Sequence, residues 1–196
     1  MNAHEKKELR IKVAKDVLKS LKLYIVSTGA FIKHDNFDIG KYKGKDSKII
    51  AQKLKKDCKV CALGACLLSL VKLDNEFTFK NGLVTMPYYS DNFEIRNKDL
   101  FDRLKKVFSV EQLILIENAF EKGRGYLRNS KDFYFPSQKN DTGISLEKIQ
   151  SLNSKLDRSI NFGRNYFDSN ERLAAIMKNI IKNNGTFIPP KISEFD

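Results

Sequence analysis

Leu9, Val13, Val17 and Leu21 recur every four residues and are joined by Ala14 and Leu18, which predicts an amphipathic helix over 4–22. Lys12, Lys15, Lys19 and Lys22 fall largely on its other faces. Two short β-type runs, Tyr24–Val26 and Ala30–Ile32, flank Ser27-Thr28-Gly29 and predict a hairpin. Residues 35–46 are polar and read as a loop, after which Asp46 or Ser47 can cap a short helix reaching Lys56. Val60–Val71 is the most apolar stretch of the chain. Its small residues Ala62, Gly64, Ala65 and Ser69 let another helix approach closely, so the pattern predicts a central helix buried on nearly all sides.

Phe77–Phe79, Asn81-Gly82 and Leu83-Val84 resemble strand, turn and strand. Leu100, Phe101, Leu104 and Val107 share one face of a predicted helix over 97–107. Ser109, with Gln112 three residues on, opens another that Lys122 and Gly123 end. Residues 123–143 predict a long loop, although Tyr126, Phe133, Tyr134 and Phe135 give it more aromatics than a free linker carries. A helix over 145–156 follows. Asp168 and Glu171 form a second capping-box spacing before Leu173, Ile176, Met177 and Ile180, and that helix ends at Gly185 ahead of a short tail, 186–196, with Pro189-Pro190. The prediction is a mainly α (α+β) fold: one compact helical domain over 1–196 with one or two small β-hairpins.

Charge changes the picture next. The 196 residues carry a formal +12. Residues 1–60 hold 16 Lys/Arg and 7 Asp/Glu, a net +9, and residues 61–196 hold 20 and 17, a net +3. The excess is densest from Lys41 to Lys59. Such a one-sided field favours phosphate-bearing partners. Lys41, Tyr42, Lys43, Lys45, Lys48, Lys55 and Lys56, joined by Arg124 and Arg128 from the Gly-Arg-Gly turn, are therefore the candidate ligand-binding residues. A solvated lysine-rich surface is the plain alternative. Lysine prevails over arginine here, and bidentate reading of bases or phosphates prefers arginine.

Val60–Val71 is too short to span a bilayer, which needs roughly 20 apolar residues, and the first residues hold no apolar core of a secretory signal. No membrane association is expected. Three clustered cysteines are a poor disulfide framework, so a reducing, cytoplasmic setting is expected.

Cys58, Cys61 and Cys66 offer three soft metal ligands, yet a structural zinc needs four, and only His4, His34 or a carboxylate remains to complete the set. Their helical spacing converges badly, and no metal is expected. Cys58 or Cys61 at a helix start is a candidate nucleophile with His34 as base, since a helix N-terminus favours a thiolate. That makes a thiol-dependent hydrolase the enzymatic alternative. Phosphate-loop and dinucleotide fingerprints are absent. A calcium loop around Gly143 fails at its ligand positions. Glu117 and Glu121 share a helix face and read as solvated. No cofactor is expected.

The run Cys58-Lys59-Val60-Cys61-Ala62-Leu63-Gly64-Ala65 resembles a block found in an uncharacterised family of small phage and mobile-element proteins. Ala14–Leu18, Phe108–Leu113, Ile116–Phe120, Arg172-Leu173 and Ile176–Ile181 look similar to its companions. The resemblance touches about a quarter of the chain and implies a phage or mobile-element context, hence a host cytoplasm, without residue roles. The leading expectation is a non-enzymatic basic protein that binds nucleic acid, a nucleotide-type ligand or a host protein, in an anti-defence or regulatory role. A plain protein–protein interaction module with Tyr88 and Tyr89 on its surface is the remaining alternative.

Overall fold

The computed structural model describes residues 1–29, 32–34, 46–56, 58–74, 84–85, 93–94, 102–123 and 146–190, with the backbone alone at 34, 84–85, 93–94 and 146–149. The fold is mainly α with a small sheet, as the apolar periodicity predicts. The long loop placed at 123–143, apart from Gly123, lies outside the described residues, as does the aromatic pair Tyr88-Tyr89.

Helix α1 (Ala3–Ser20) opens with a capping box between Asn2 and Glu5 and passes into a 3-10 turn at Leu21–Leu23. Asp46 caps α2 (Ser47–Leu54) by accepting the Lys48 N–H. Helix α3 (Ala62–Leu73) is buried at every position from Ala62 to Val71 and packs against α1, α2 and α4 (Val110–Glu121). It is the central helix that its unbroken apolar run demands. Ser109 caps α4 through the Gln112 N–H, and Lys122 ends it in the left-handed conformation, φ 53°. Helix α5 (Leu146–Arg164) lies along α4. Asp168 caps α6 (Ser169–Lys182), which packs on α1 and α4. Residues 102–108 make a helical turn closed by the Phe108 N–H to the Leu104 carbonyl.

The sheet corrects one expectation. Strands β1 (Ile25–Val26) and β2 (Ile32–His34) do not pair as a hairpin. Strand β3 (Lys59–Val60) lies between them, parallel to β1 (Ile25 beside Lys59) and antiparallel to β2 (Ile32 beside Val60). A buried Val60 set between Val26 and the buried Ile32 explains the choice, since a central strand covers more apolar surface than a two-stranded ribbon. Strands β4 (Val84–Thr85) and β5 (Phe93–Glu94) extend the sheet to the order β1-β3-β2-β5-β4. Val84 pairs with Glu94, and 77–79, predicted as its hairpin partner, lies outside the described residues.

Candidate functional site

The predicted basic segment is only partly in view. Lys41, Tyr42, Lys43, Lys45, Arg124 and Arg128 lie outside the described residues. Lys48 is half-buried in the first turn of α2, and Lys56 is exposed beyond its end. Lys55 is not on the surface. Its ammonium is buried against the Asp16 carboxylate at 2.5 Å and donates to Ser20 Oγ at 3.0 Å. Asp16 also binds Lys72 and accepts the Ser69 hydroxyl at 2.9 Å. Burial pushes the Asp16 carboxyl up, but the hydrogen bonds from Lys55 and Lys72 outweigh it and hold it below the carboxylate range. Burial lowers Lys55, and Asp16 restores only part of the shift. The Tyr24 ring lies 5.9 Å from the Lys55 ammonium, and its buried hydroxyl has no hydrogen-bond partner. Lys55 therefore serves the junction of α1, α2 and α3 rather than a ligand.

The three cysteines are buried and unbridged. Cys61 is the N-cap residue of α3, as a thiol nucleophile requires. Burial nevertheless raises its pKa, the charges of Glu121 and Glu117 act in the same direction, and the Gly64 and Leu63 N–H groups fail to offset them. Burial pushes Cys66 up to about 12. Neither thiol is poised as a thiolate. The antiparallel register sets Lys33 beside Lys59, which brings the His34 backbone level with Cys58, itself fully buried. Among the described residues, no group of three His, Cys, Asp or Glu is placed to hold a metal ion.

Glu117 and Glu121 are not on a solvated face either. Glu117 is buried, and the Glu121 carboxylate accepts the Gly29 N–H at 3.1 Å. Burial raises the Glu121 pKa, against the Gly29 N–H and the Arg172 charge. The signal was present in the sequence: Glu117 stands four residues after Leu113 and three after Ile114, on the apolar side of its helix.

The arrangement best suited to a ligand lies elsewhere, where α5 and α6 diverge from their connecting turn. Helix α5 is fixed on α4 by close contact. A Cβ on Gly163 would fall 1.8 Å from the Ala119 carbonyl oxygen, and the Ser159 hydroxyl donates to the Leu115 carbonyl. The turn is fixed by Arg172, whose buried guanidinium donates to the carbonyls of Phe120 (2.8 Å), Gly163 (3.1 Å), Tyr166 (3.0 Å) and Phe167 (3.1 Å). Between the two helices opens a cleft of about 860 Å³. Phe162 and Tyr166 line it near the turn, Ala174 and Ala175 form part of the α6 wall, and Arg158, Lys178 and Lys182 bring three positive charges to it.

The tail closes the far side. Gln112 brackets Phe187, accepting its N–H at 2.6 Å and donating to its carbonyl at 3.1 Å. Asn179 does the same for Ile188, at 2.9 and 2.8 Å. These two amide brackets hold the tail extended, so Ile188 and Pro189 separate the cleft from a second cavity of about 470 Å³. Two cations of that cavity are engaged. Arg10 donates to the carbonyls of Gly185 (2.6 Å) and Val107 (2.7 Å), and Lys155 pairs with Glu111 at 2.8 Å. Arg158 is shared by both cavities, and its Nε is buried without a hydrogen-bond partner. Lys178 and Lys182 form no ion pair among the described residues. An unsatisfied buried donor costs about 1–3 kcal/mol, which an incoming acceptor would recover.

The apolar pattern predicts a helix that stops at Leu156, which leaves Arg158 and Phe162 without a face, so the periodicity does not point to this site. The Lys178/Lys182 spacing of four residues was the one visible signal. What fold and site define together is a mainly α domain with a ligand-sized cationic cleft. Comparison with models of known families, with curated proteins and with solved structures gave no match for this chain. No helix among the described residues is long and apolar enough to cross a membrane.

Proposed function

We propose that this chain is a non-enzymatic binding protein for a phosphate-bearing ligand of the nucleotide or nucleic-acid class, and that the ligand enters the cleft between α5 and α6. The observation that carries this reading is Arg158, a guanidinium with an unpartnered buried Nε, in a cleft with two lysines that form no ion pair among the described residues. Guanidinium and ammonium groups bind phosphate oxygens by charge-assisted hydrogen bonds. Phe162 and Tyr166 add apolar surface for the rest of such a ligand. The cleft wall offers no cysteine or histidine, and Glu171 is its one carboxylate among the described residues, so its chemistry favours holding over turnover. A phage or mobile-element role, as the Cys58–Ala65 block implies, fits a protein that captures such a ligand.

The test is native mass spectrometry of gently purified protein for a retained ligand, followed by calorimetric titration with inorganic pyrophosphate and ATP. Saturable binding is expected, weakening with salt and falling tenfold or more in Arg158→Met and Lys182→Ala. Equal affinity in wild type and both variants would remove the cleft from consideration.

A further inference from the structure

Phe167 stands 96 % exposed in the turn between α5 and α6, one residue beyond Tyr166 of the cleft. Nothing in the packing requires an aromatic ring there. The turn is nonetheless tied down by hydrogen bonds. Arg172, buried and desolvated, donates to the carbonyls of Tyr166 and Phe167 and to those of Gly163 and Phe120. Asp168, the next residue, is committed to capping α6 through the Glu171 N–H. The ring is therefore presented to solvent from a fixed backbone, which removes most of the ordering cost that a loop aromatic would carry on binding.

Its surroundings select among occupants. The Lys122 ammonium lies 5.7 Å over one face of the ring, and Arg164 is exposed at the end of α5. The neighbouring carboxylates turn away: Glu121 is bonded to the Gly29 N–H, and Asp168 to its helix. An aromatic face bordered by cations is how single strands are held, with bases stacked on the ring and phosphates on the charges. Lys178 and Lys182 then extend the charge along α6, about 14 and 20 Å from its start at a 1.5 Å rise per residue. No mononucleotide reaches from the ring to both.

We infer that Phe167 is a stacking platform for a base of single-stranded nucleic acid whose phosphates continue into the α5–α6 cleft. The inference rests on the phosphate-binding reading of that cleft and narrows its ligand to a strand. The chain contains no tryptophan, so Phe167→Trp places a single reporter at the platform. Because the side chain is almost wholly exposed, its replacement leaves folding intact. The probe is an eight-nucleotide thymidylate, (dT)8, with inorganic pyrophosphate as the control for the cleft.

The expected result is saturable quenching of Phe167→Trp fluorescence by (dT)8 at near wild-type affinity, and a loss of about tenfold or more in Phe167→Ala. Binding of (dT)8 with no quenching and no loss in Phe167→Ala would overturn the platform. Pyrophosphate binding without any (dT)8 binding would overturn the strand and leave the cleft reading standing. Failure of both probes would remove the cleft reading as well.

Discussion

Two clusters of positive charge in this molecule have opposite fates. At the junction of α1, α2 and α3, Lys55 and Lys72 converge on one carboxylate, Asp16, with Ser69 and Ser20 supplying further hydrogen bonds. In the cleft between α5 and α6, Arg158, Lys178 and Lys182 form no ion pair among the described residues. The first cluster lies largely in the strongly basic first third of the chain and the second in the nearly balanced remainder. Charge counted along the sequence therefore does not by itself tell which charges the fold leaves available, as Lys55 shows. The richest segment gives Lys55 to the core, whereas the region that nets only +3 builds the cationic cleft. A lysine's availability is set by whether the fold brings a carboxylate to it.

This contrast is broken most severely at Asp16. Asp16→Asn keeps the shape of the side chain and removes the charge that two ammonium groups share. A loss of about 3–5 kcal/mol is expected in urea unfolding, because Lys55 is left buried without its counter-charge. A loss under about 1 kcal/mol would mean that the junction is hydrated and the contrast with the cleft unfounded.

The scaffold of the cleft gives the next largest effect. Gly163→Ala forces a methyl group into the Ala119 carbonyl oxygen, so α5 must move off α4 at a cost of about 1–3 kcal/mol. Tm and ligand affinity should fall together, since the wall carrying Arg158 and Phe162 shifts. A smaller effect of the Asp16 cluster appears in acid. The folded Asp16 pKa lies below its unfolded value, so its contribution is complete above the unfolded pKa and is lost as pH falls through the folded one. Stability measured below about pH 4 should therefore fall less steeply in Asp16→Asn than in wild type.

Much of this architecture was legible from periodicity and caps. Helices α1, α3 and α6, the Asp46, Ser109 and Asp168 caps, and the stop of α6 shortly before the left-handed Gly185 follow from apolar spacing and turn chemistry alone. The separation of β1 from β2 was not, because local sequence cannot show that a third strand from residues 59–60 comes between them. Lys55 carried a readable signal: it follows Ala51 by four residues and thus continues the apolar side of α2, where an ammonium needs a buried partner. The partner, Asp16, sits 39 residues earlier and was not foreseeable. Arg158 was illegible for a different reason. Its role needs α5 to run on to Arg164 and the chain to turn back as α6, which no local pattern in 145–164 states.

The smallest expected effect sharpens the comparison most. Arg158→Met keeps the aliphatic stem that packs in the α5 wall and removes the guanidinium. If the guanidinium serves the fold, its loss should resemble that of Asp16 and cost several kcal/mol. If it is held for a ligand, removing an unpartnered buried donor leaves urea stability within about 0.5 kcal/mol of wild type, or raises it slightly, because an unsatisfied polar group is no longer buried. Lys182→Ala, at an exposed position, should leave stability equally unchanged. Stability held constant while pyrophosphate affinity falls would separate the two clusters by function. A loss of about 2 kcal/mol in Arg158→Met would instead place Arg158 with Lys55, as a charge the fold consumes.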